Sequence, residues 1–178
     1  MAERAHALYD EDRGALLLCM LGQEYLVRRD GVFLRGRKAP DAHACLVLDY
    51  LSGPGGPAVI TPWRAIGDFS GEASPGFRRE VELPLARHAA ELISRANTLM
   101  PMVDAEPGPS IIGSDAALTV RALPKVYLHL ELSRETQDFL AEAWLLFSKN
   151  ADEFLTLPSL RAVAGLFKDR LLSLLRIY

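Results

Sequence analysis

From Leu118 to Leu132 the chain alternates apolar and polar residues. Leu118, Val120, Ala122, Val126, Leu128, Leu130 and Leu132 hold even positions, while Thr119, Arg121, Lys125, Tyr127, His129 and Glu131 hold odd ones. A strand turns successive side chains to opposite faces, so a period of two over this length predicts pleated structure with one buried face. Pro124 keeps the alternation in phase but removes a ladder donor. It therefore marks a kink, an edge or the junction of two strands.

The rest of the chain follows in order. Residues 1–13 read as a polar lead-in with at most a helical turn. The run Ala15–Leu21 has strand length, Gly22 breaks it, and Gln23–Arg29 carries Tyr25 and Val27 on one side. Asp30-Gly31 signals a hairpin of the type I′ kind, returning as Val32–Arg35. The first third is thus a small antiparallel meander. Pro40 then opens a helix through Ala42, Cys45, Leu46, Leu48 and Leu51, which Ser52-Gly53-Pro54 stops. Ala58–Thr61 reads as a short strand, 62–66 as one helical turn, and 67–76 as a loop. From Phe77 to about Met100, Val81, Leu85, Ala89, Leu92, Ile93 and Ala96 recur at helical spacing, with Pro84 dividing a lead-in from the main helix. Pro101–Ser110 is proline-rich and reads as a loop. Pro158 opens a last helix with a stripe of Leu160, Val163, Ala164, Phe167, Leu171, Leu174 and Leu175. Between Phe139 and Phe147, helix and strand spacings both fit.

Composition narrows the class. A chain of 178 residues, 49% hydrophobic and 24% charged, suits one domain with a real core. The net charge of −3 gives no general attraction to nucleic acid or anionic membranes. The longest apolar run is far short of a membrane span. An acidic start without a cleavage site argues against a secretory signal, so a cytoplasmic location is expected. Cys19 and Cys45 sit among apolar neighbours and read as free, buried thiols.

Candidate chemistry is sparse. The glycine-rich loop at 52–59 lacks a following Lys-Ser/Thr and loses two donors to Pro54 and Pro57, so it reads as a connector rather than a phosphate cradle. The four histidines share no metal-ligand spacing, and no metal or cofactor is expected. His129 and Glu131 project from one strand face beside Tyr127 and are candidate acid–base groups. Alternation alone favours a water-facing surface there. Asp115, in a Gly-Ser-Asp triplet at a strand mouth, is a further candidate, although turn chemistry explains it more simply. Arg28, Arg29, Arg35, Arg37 and Lys38 cluster on the first hairpin and could meet an anionic ligand or an acidic partner. Little aromatic surface accompanies them, which disfavours nucleic acid. Trp63 is a candidate binding residue, though Trp63 and Trp144 read first as core fillers.

Several stretches occur in a characteristic order: LLLCMLGQEYLVRRDG, HACLVLDYLSG, VITPWRAIGDFSG, IIGSDAALTVRALPKVYLHLEL and FLAEAWLLFSKNADEFLTLPSL. In that order and spacing, over nearly the whole chain, the sequence resembles the bacterial and archaeal family known only as domain of unknown function 3786. No activity is implied. The resemblance implies a neighbourhood with iron–sulfur domains of the kind met in corrinoid and one-carbon metabolism in anaerobes. Such a domain needs clustered cysteines that this chain lacks. The family's acidic Gly-Asp-Glu-Glu-Phe-Pro stretch corresponds here to Thr136, Gln137, Asp138, Phe139 and Leu140. Its Leu-Phe-Asp corresponds to Leu146, Phe147 and Ser148. Asp138 is the retained acid and joins the weak catalytic candidates. The family's proline after the phenylalanine implies a turn or short helix over 133–140 and a strand over 142–147.

The expected fold is α+β, a single domain over residues 1–178. An antiparallel sheet combines the meander with the central strands, and about three main helices pack on one face. The expected function is a cytoplasmic, non-catalytic binding or accessory protein with a protein or small-molecule partner. By resemblance alone it is linked to anaerobic redox or corrinoid metabolism. The alternatives are a small-molecule enzyme using Asp115, His129, Glu131 and Asp138, and an anion or nucleic-acid binder using the basic hairpin.

Overall fold

The computed structural model describes residues 7–71 and 74–177. The fold is α+β, but the strands form two antiparallel sheets rather than one. The first is a five-stranded meander of β1 (Leu8–Asp10), β2 (Ala15–Met20), β3 (Gln23–Arg28), β4 (Gly31–Leu34) and β5 (Arg37–Lys38). The second runs β6 (Ala105–Pro107), β7 (Ala116–Leu123), β8 (Val126–Ser133) and β9 (Glu142–Phe147). Part of the expected lead-in is therefore strand β1, while residues 1–6 lie outside the described residues. β6 replaces part of the expected loop at 101–110. Of the three prolines in 101–110, Pro101 sits in the first turn of a short 3-10 helix, Pro107 closes an edge strand and Pro109 lies beyond it.

Turn chemistry in the meander differs from expectation in an instructive way. β3 and β4 do form a hairpin, but Arg28 pairs with Gly31, so the turn residues are Arg29 and Asp30. Positive φ at both central positions occurs instead at Leu21-Gly22 (51° and 70°) and Arg35-Gly36 (51° and 76°). These two turns meet the type I′ requirement. Leu21 is a bulky residue in the left-handed region, and surrounding bonds hold it there. Its N–H donates to the Ala122 carbonyl at 2.9 Å, joining the sheets, and its carbonyl accepts Arg170 Nε at 2.9 Å. Gly22 has no room for a side chain, since a Cβ there would sit 2.6 Å from the Met102 carbonyl oxygen.

The central alternation resolves into the β7–β8 hairpin, with Pro124 and Lys125 at the turn and Leu123 paired to Val126. Both strands keep their apolar side chains on one face. Val120, Ala122, Val126, Leu128 and Leu130 are fully buried there, and Leu145 and Phe147 of β9 extend the same layer. Against it packs a segmented helical run over 75–103, which contains a π-helical piece at Arg78–Glu82, immediately before Pro84. Helix α1 (Asp41–Ser52) and the C-terminal helix (Leu157–Ile177) complete the core, the latter burying Leu160, Val163, Ala164, Phe167 and Leu171.

The free edge of β9 is managed by two neighbours. Arg64 exchanges both backbone bonds with Phe147, at 2.9 and 2.8 Å, and Glu82 accepts the Leu145 N–H at 3.1 Å. An edge covered in this way no longer templates strand pairing. The expected strand at 58–61 is absent. That segment instead runs beside β9, with the Ile60 carbonyl accepting Lys149 N–H, and a short helix α2 (Ile66–Ser70) follows where a loop was expected. Both cysteines are exposed, contrary to expectation. Cys19 alternates with the buried Leu18 and Met20, so the pleat turns it outward. Among the described residues no helix is long and apolar enough to cross a membrane.

Candidate functional site

The outer face of the second sheet, where water was expected, is covered at His129 and Glu131. Thr119, His129 and Leu146 form one cross-strand row; Ala117, Glu131 and Trp144 form the next. His129 and Glu131 are both 0% exposed. Alternation correctly puts them on the outward face, but it carries no information about what lies above that face. Two loops do the covering.

The first is the connection from β6 to β7. Gly108 donates to the Ala117 carbonyl at 2.8 Å and then turns the chain over the sheet. Ser110 Oγ and Ser114 Oγ donate to Glu131 Oε2 at 2.9 and 2.7 Å, and the Ile111 N–H donates to Oε1 at 2.9 Å. The Ile112 N–H adds a longer contact of 3.4 Å to Oε2. Burial raises the carboxyl pKa, but the donors from Ser114, Ile111, Ser110 and Ile112 outweigh it and hold Glu131 below the ordinary carboxylate range. Glu131 is therefore charged at neutral pH, with both oxygens occupied.

The second cover is the stretch from Pro57 to Arg64. Asn150 fixes it by accepting the Val59 N–H at 2.8 Å and donating to the Pro57 carbonyl at 3.1 Å, and the Arg64–Phe147 bridge ends it. Between these anchors Trp63 lies flat on His129, with ring centroids 4.7 Å apart and planes within 19°. The imidazole is held loosely by its polar neighbours. Thr119 Oγ1 lies 3.4 Å from Nδ1, and Nε2 lies 3.4 Å from Glu131 Oε1 without the alignment of a hydrogen bond. Burial lowers the His129 pKa, against Glu131 and the Pro109 backbone, which pull it up. The ring is neutral at neutral pH. A charged acceptor beside a neutral imidazole suits proton relay in principle, but neither side chain has any surface through which a substrate could reach it.

The other sequence candidates stand apart. Asp115 is exposed and its Oδ2 accepts the Arg134 N–H at 2.7 Å, which makes it a turn residue. Asp138 is exposed in the 134–140 connection, where Phe139 and Leu140 are also 75% and 77% exposed. Arg28, Arg29, Arg35, Arg37 and Lys38 are all exposed on the first sheet, and none of them forms an ion pair among the described residues. Arg28 lies over the Phe33 ring at 5.4 Å. Trp63 belongs to the second sheet's cover and does not join them.

Open space lies elsewhere. A cleft of about 290 Å³ beside Thr119 is lined by Asp104, Glu106, Arg121 and Tyr127, with Arg121 Nε and Asp104 Oδ2 paired at 2.8 Å. A second, of about 330 Å³, opens between the β2–β3 turn, α1 and the C-terminal helix. It contains Tyr25, whose hydroxyl is 2.7 Å from His43 Nδ1, and Arg170, whose Nη2 donates to the Met102 carbonyl at 2.7 Å. Sequence reading missed this second group because its members come from three distant elements. The signal available was a tyrosine on the buried side of β3 and a histidine in the first turn of the helix after it. No group of three or more His, Cys, Asp or Glu side chains among the described residues could hold a metal ion.

The meander, the covered sheet and the helices together correspond to a recurrent sequence family. No curated protein and no solved structure matches the chain. The family model described as "Domain of unknown function (DUF3786)" matches residues 1–170 of the 178, and the chain belongs to that family.

Proposed function

We propose that this chain is a non-catalytic binding protein, acting as a cytoplasmic accessory protein. The carrying observation is the state of Glu131: both carboxylate oxygens already accept donors from the 110–114 segment, and the carboxylate is 0% exposed. A general acid or base must come within hydrogen-bond reach of the proton it moves. The buried pair instead pins a loop to a sheet, which is a structural task. Asp115 and Asp138, both exposed, do not join the buried pair. The link to anaerobic redox or corrinoid chemistry is supported only by the resemblance to relatives that occur beside iron–sulfur domains.

The test offers the purified protein a panel of organic acids, nucleotides, amines and neutral metabolites. Binding is followed by thermal shift, and conversion of each compound by mass spectrometry. The expected result is stabilisation by one class with no conversion. Conversion that persists in wild type and disappears in E131Q and H129Q, both still folded, would overturn the proposal in favour of an enzyme.

A further inference from the structure

We infer that the pocket between the β2–β3 turn, α1 and the C-terminal helix binds a small organic monocarboxylate with an apolar body. This rests on the reading of the chain as a binding protein and names the site and ligand class. The pocket joins three kinds of surface in about 330 Å³, a size suited to a small metabolite.

The first surface is a polar dyad. The Tyr25 hydroxyl meets His43 Nδ1 at 2.7 Å. Burial pushes the Tyr25 phenol up to about 12, against Arg170 and Arg35, and burial also lowers His43. Both are neutral at pH 7. The contact closes in either imidazole tautomer, and a carboxylate at Nε2 selects the one in which the phenol donates to Nδ1 and the imidazole hydrogen sits on Nε2. In that tautomer the pair presents a neutral N–H donor to the ligand.

The second surface is cationic. Arg170 is half-buried, and its Nε and Nη2 donate to the Leu21 and Met102 carbonyls at 2.9 and 2.7 Å. These bonds fix the guanidinium plane and neutralise none of its charge. Its remaining amino group, Nη1, has no hydrogen bond among the described residues. Asp169, the neighbouring carboxylate, pairs with Lys168 at 2.9 Å. Arg35 adds a second positive charge, felt by both Arg170 and Tyr25. An anion bound here relieves the repulsion between the two arginines.

The third surface is apolar and comes from Met20, Leu21 and Leu166. One fixed guanidinium and one neutral N–H match the single charge and planar oxygens of a carboxylate. A phosphate dianion would need more donors than these two groups offer. The apolar lining requires hydrocarbon behind the head group.

The test titrates the full chain with sodium hexanoate and sodium benzoate, using sodium phosphate and hexanol as comparisons, and follows backbone amide and imidazole NMR signals. Both carboxylates should give saturable shifts centred on Tyr25, His43, Leu166 and Ser173; hexanol and phosphate should give none there. Ser173→Trp, at an exposed helix position lining the pocket, should weaken binding at least tenfold while leaving the unfolding temperature unchanged. His43→Leu should weaken it to a similar degree, provided its amide spectrum remains folded. The inference is overturned if saturating carboxylate moves no pocket signal, or if Ser173→Trp leaves the affinity unchanged within twofold. Binding of a different class at a different place overturns it but leaves the binding-protein reading intact. Conversion of a carboxylate bound in the pocket does the reverse.

Discussion

Trp63 lies stacked on His129, centroid to centroid at 4.7 Å, although the two come from a loop and a strand far apart in the chain. The stack closes one side of a polar cell whose other side is the 108–115 connection over Glu131. Its consequence for stability is direct. Full burial of a tryptophan makes truncation cost about 3–5 kcal/mol, and Trp63 is half-buried. Trp63→Ala should therefore lose about 2 kcal/mol in urea unfolding, with Trp63→Phe recovering part of it. A loss below about 0.5 kcal/mol, the range of an ordinary surface substitution, would show that the ring only rests on the sheet.

Glu131 should prove the most sensitive polar residue in the second sheet. Glu131→Gln keeps one acceptor oxygen but turns an amino group toward existing donors, leaving buried N–H or O–H groups unmatched. Such a defect costs about 1–3 kcal/mol, more where the acceptor was charged. Ser114→Ala, which removes the 2.7 Å donor, should cost about 2 kcal/mol by the same reasoning. The two losses should fall short of additive in the double variant, because they share one interaction. Additive losses would mean that the serine acts elsewhere.

The sign of the pH dependence follows from the directions of the shifts. His129 has a folded pKa below its unfolded value, so the unfolded chain binds the extra proton. Stability is complete above the ordinary histidine range, near pH 6.5, and falls as pH drops below it. Glu131, also depressed, contributes stability present above the ordinary carboxylate pKa that is lost as pH falls through its folded value. Acidification should thus weaken the fold in two windows. Glu82, raised by burial, acts in the opposite sense within the acid window. Urea midpoints measured from pH 7.5 to 5.5 should decline for wild type and less steeply for H129Q. The slope left in H129Q should fall further on adding His43→Gln, because burial lowers His43 as well. A wild-type midpoint that is flat over this range contradicts the assignment.

These outcomes also separate what the sequence discloses from what it withholds. The apolar face of Leu118–Leu132 is legible because a strand has only two faces and the residues sort cleanly between them. Glu142–Phe147 became legible as a strand through the family's proline, not through its own spacing. The fate of the other face was hidden. Ser110 and Ser114 lie in a stretch whose Gly, Pro and Ser content says only that it turns, and nothing local says that it folds back over Glu131. Likewise, two sheets and one sheet give the same alternation; the difference lies in which edges meet, and here the Leu21–Ala122 bond is a tertiary fact. The exposure of Cys19 was recoverable, because it is out of phase with Leu18 and Met20. The pocket around Tyr25, His43 and Arg170 was not, since three elements must first be assembled.

Gly108 supplies the sharpest geometric prediction. A Cβ at this position would lie 2.7 Å from Thr119 Oγ1 and 3.0 Å from His129 Cε1. Neither neighbour retreats easily: Thr119 is a β-branched strand residue, and His129 is held beneath Trp63. Gly108→Ala should therefore cost about 1–3 kcal/mol as an overpacking defect, and the strain should spread to Trp63 as a change in its fluorescence. Thr119→Ala in the same chain removes the closest contact but not the ring, so it should restore only part of the loss. A coupling of about 1 kcal/mol in this double-mutant cycle would place the clash where the geometry puts it. Independent effects, or full rescue by Thr119→Ala, would mean that the connection settles in another path and that His129 is less tightly covered than its zero exposure requires.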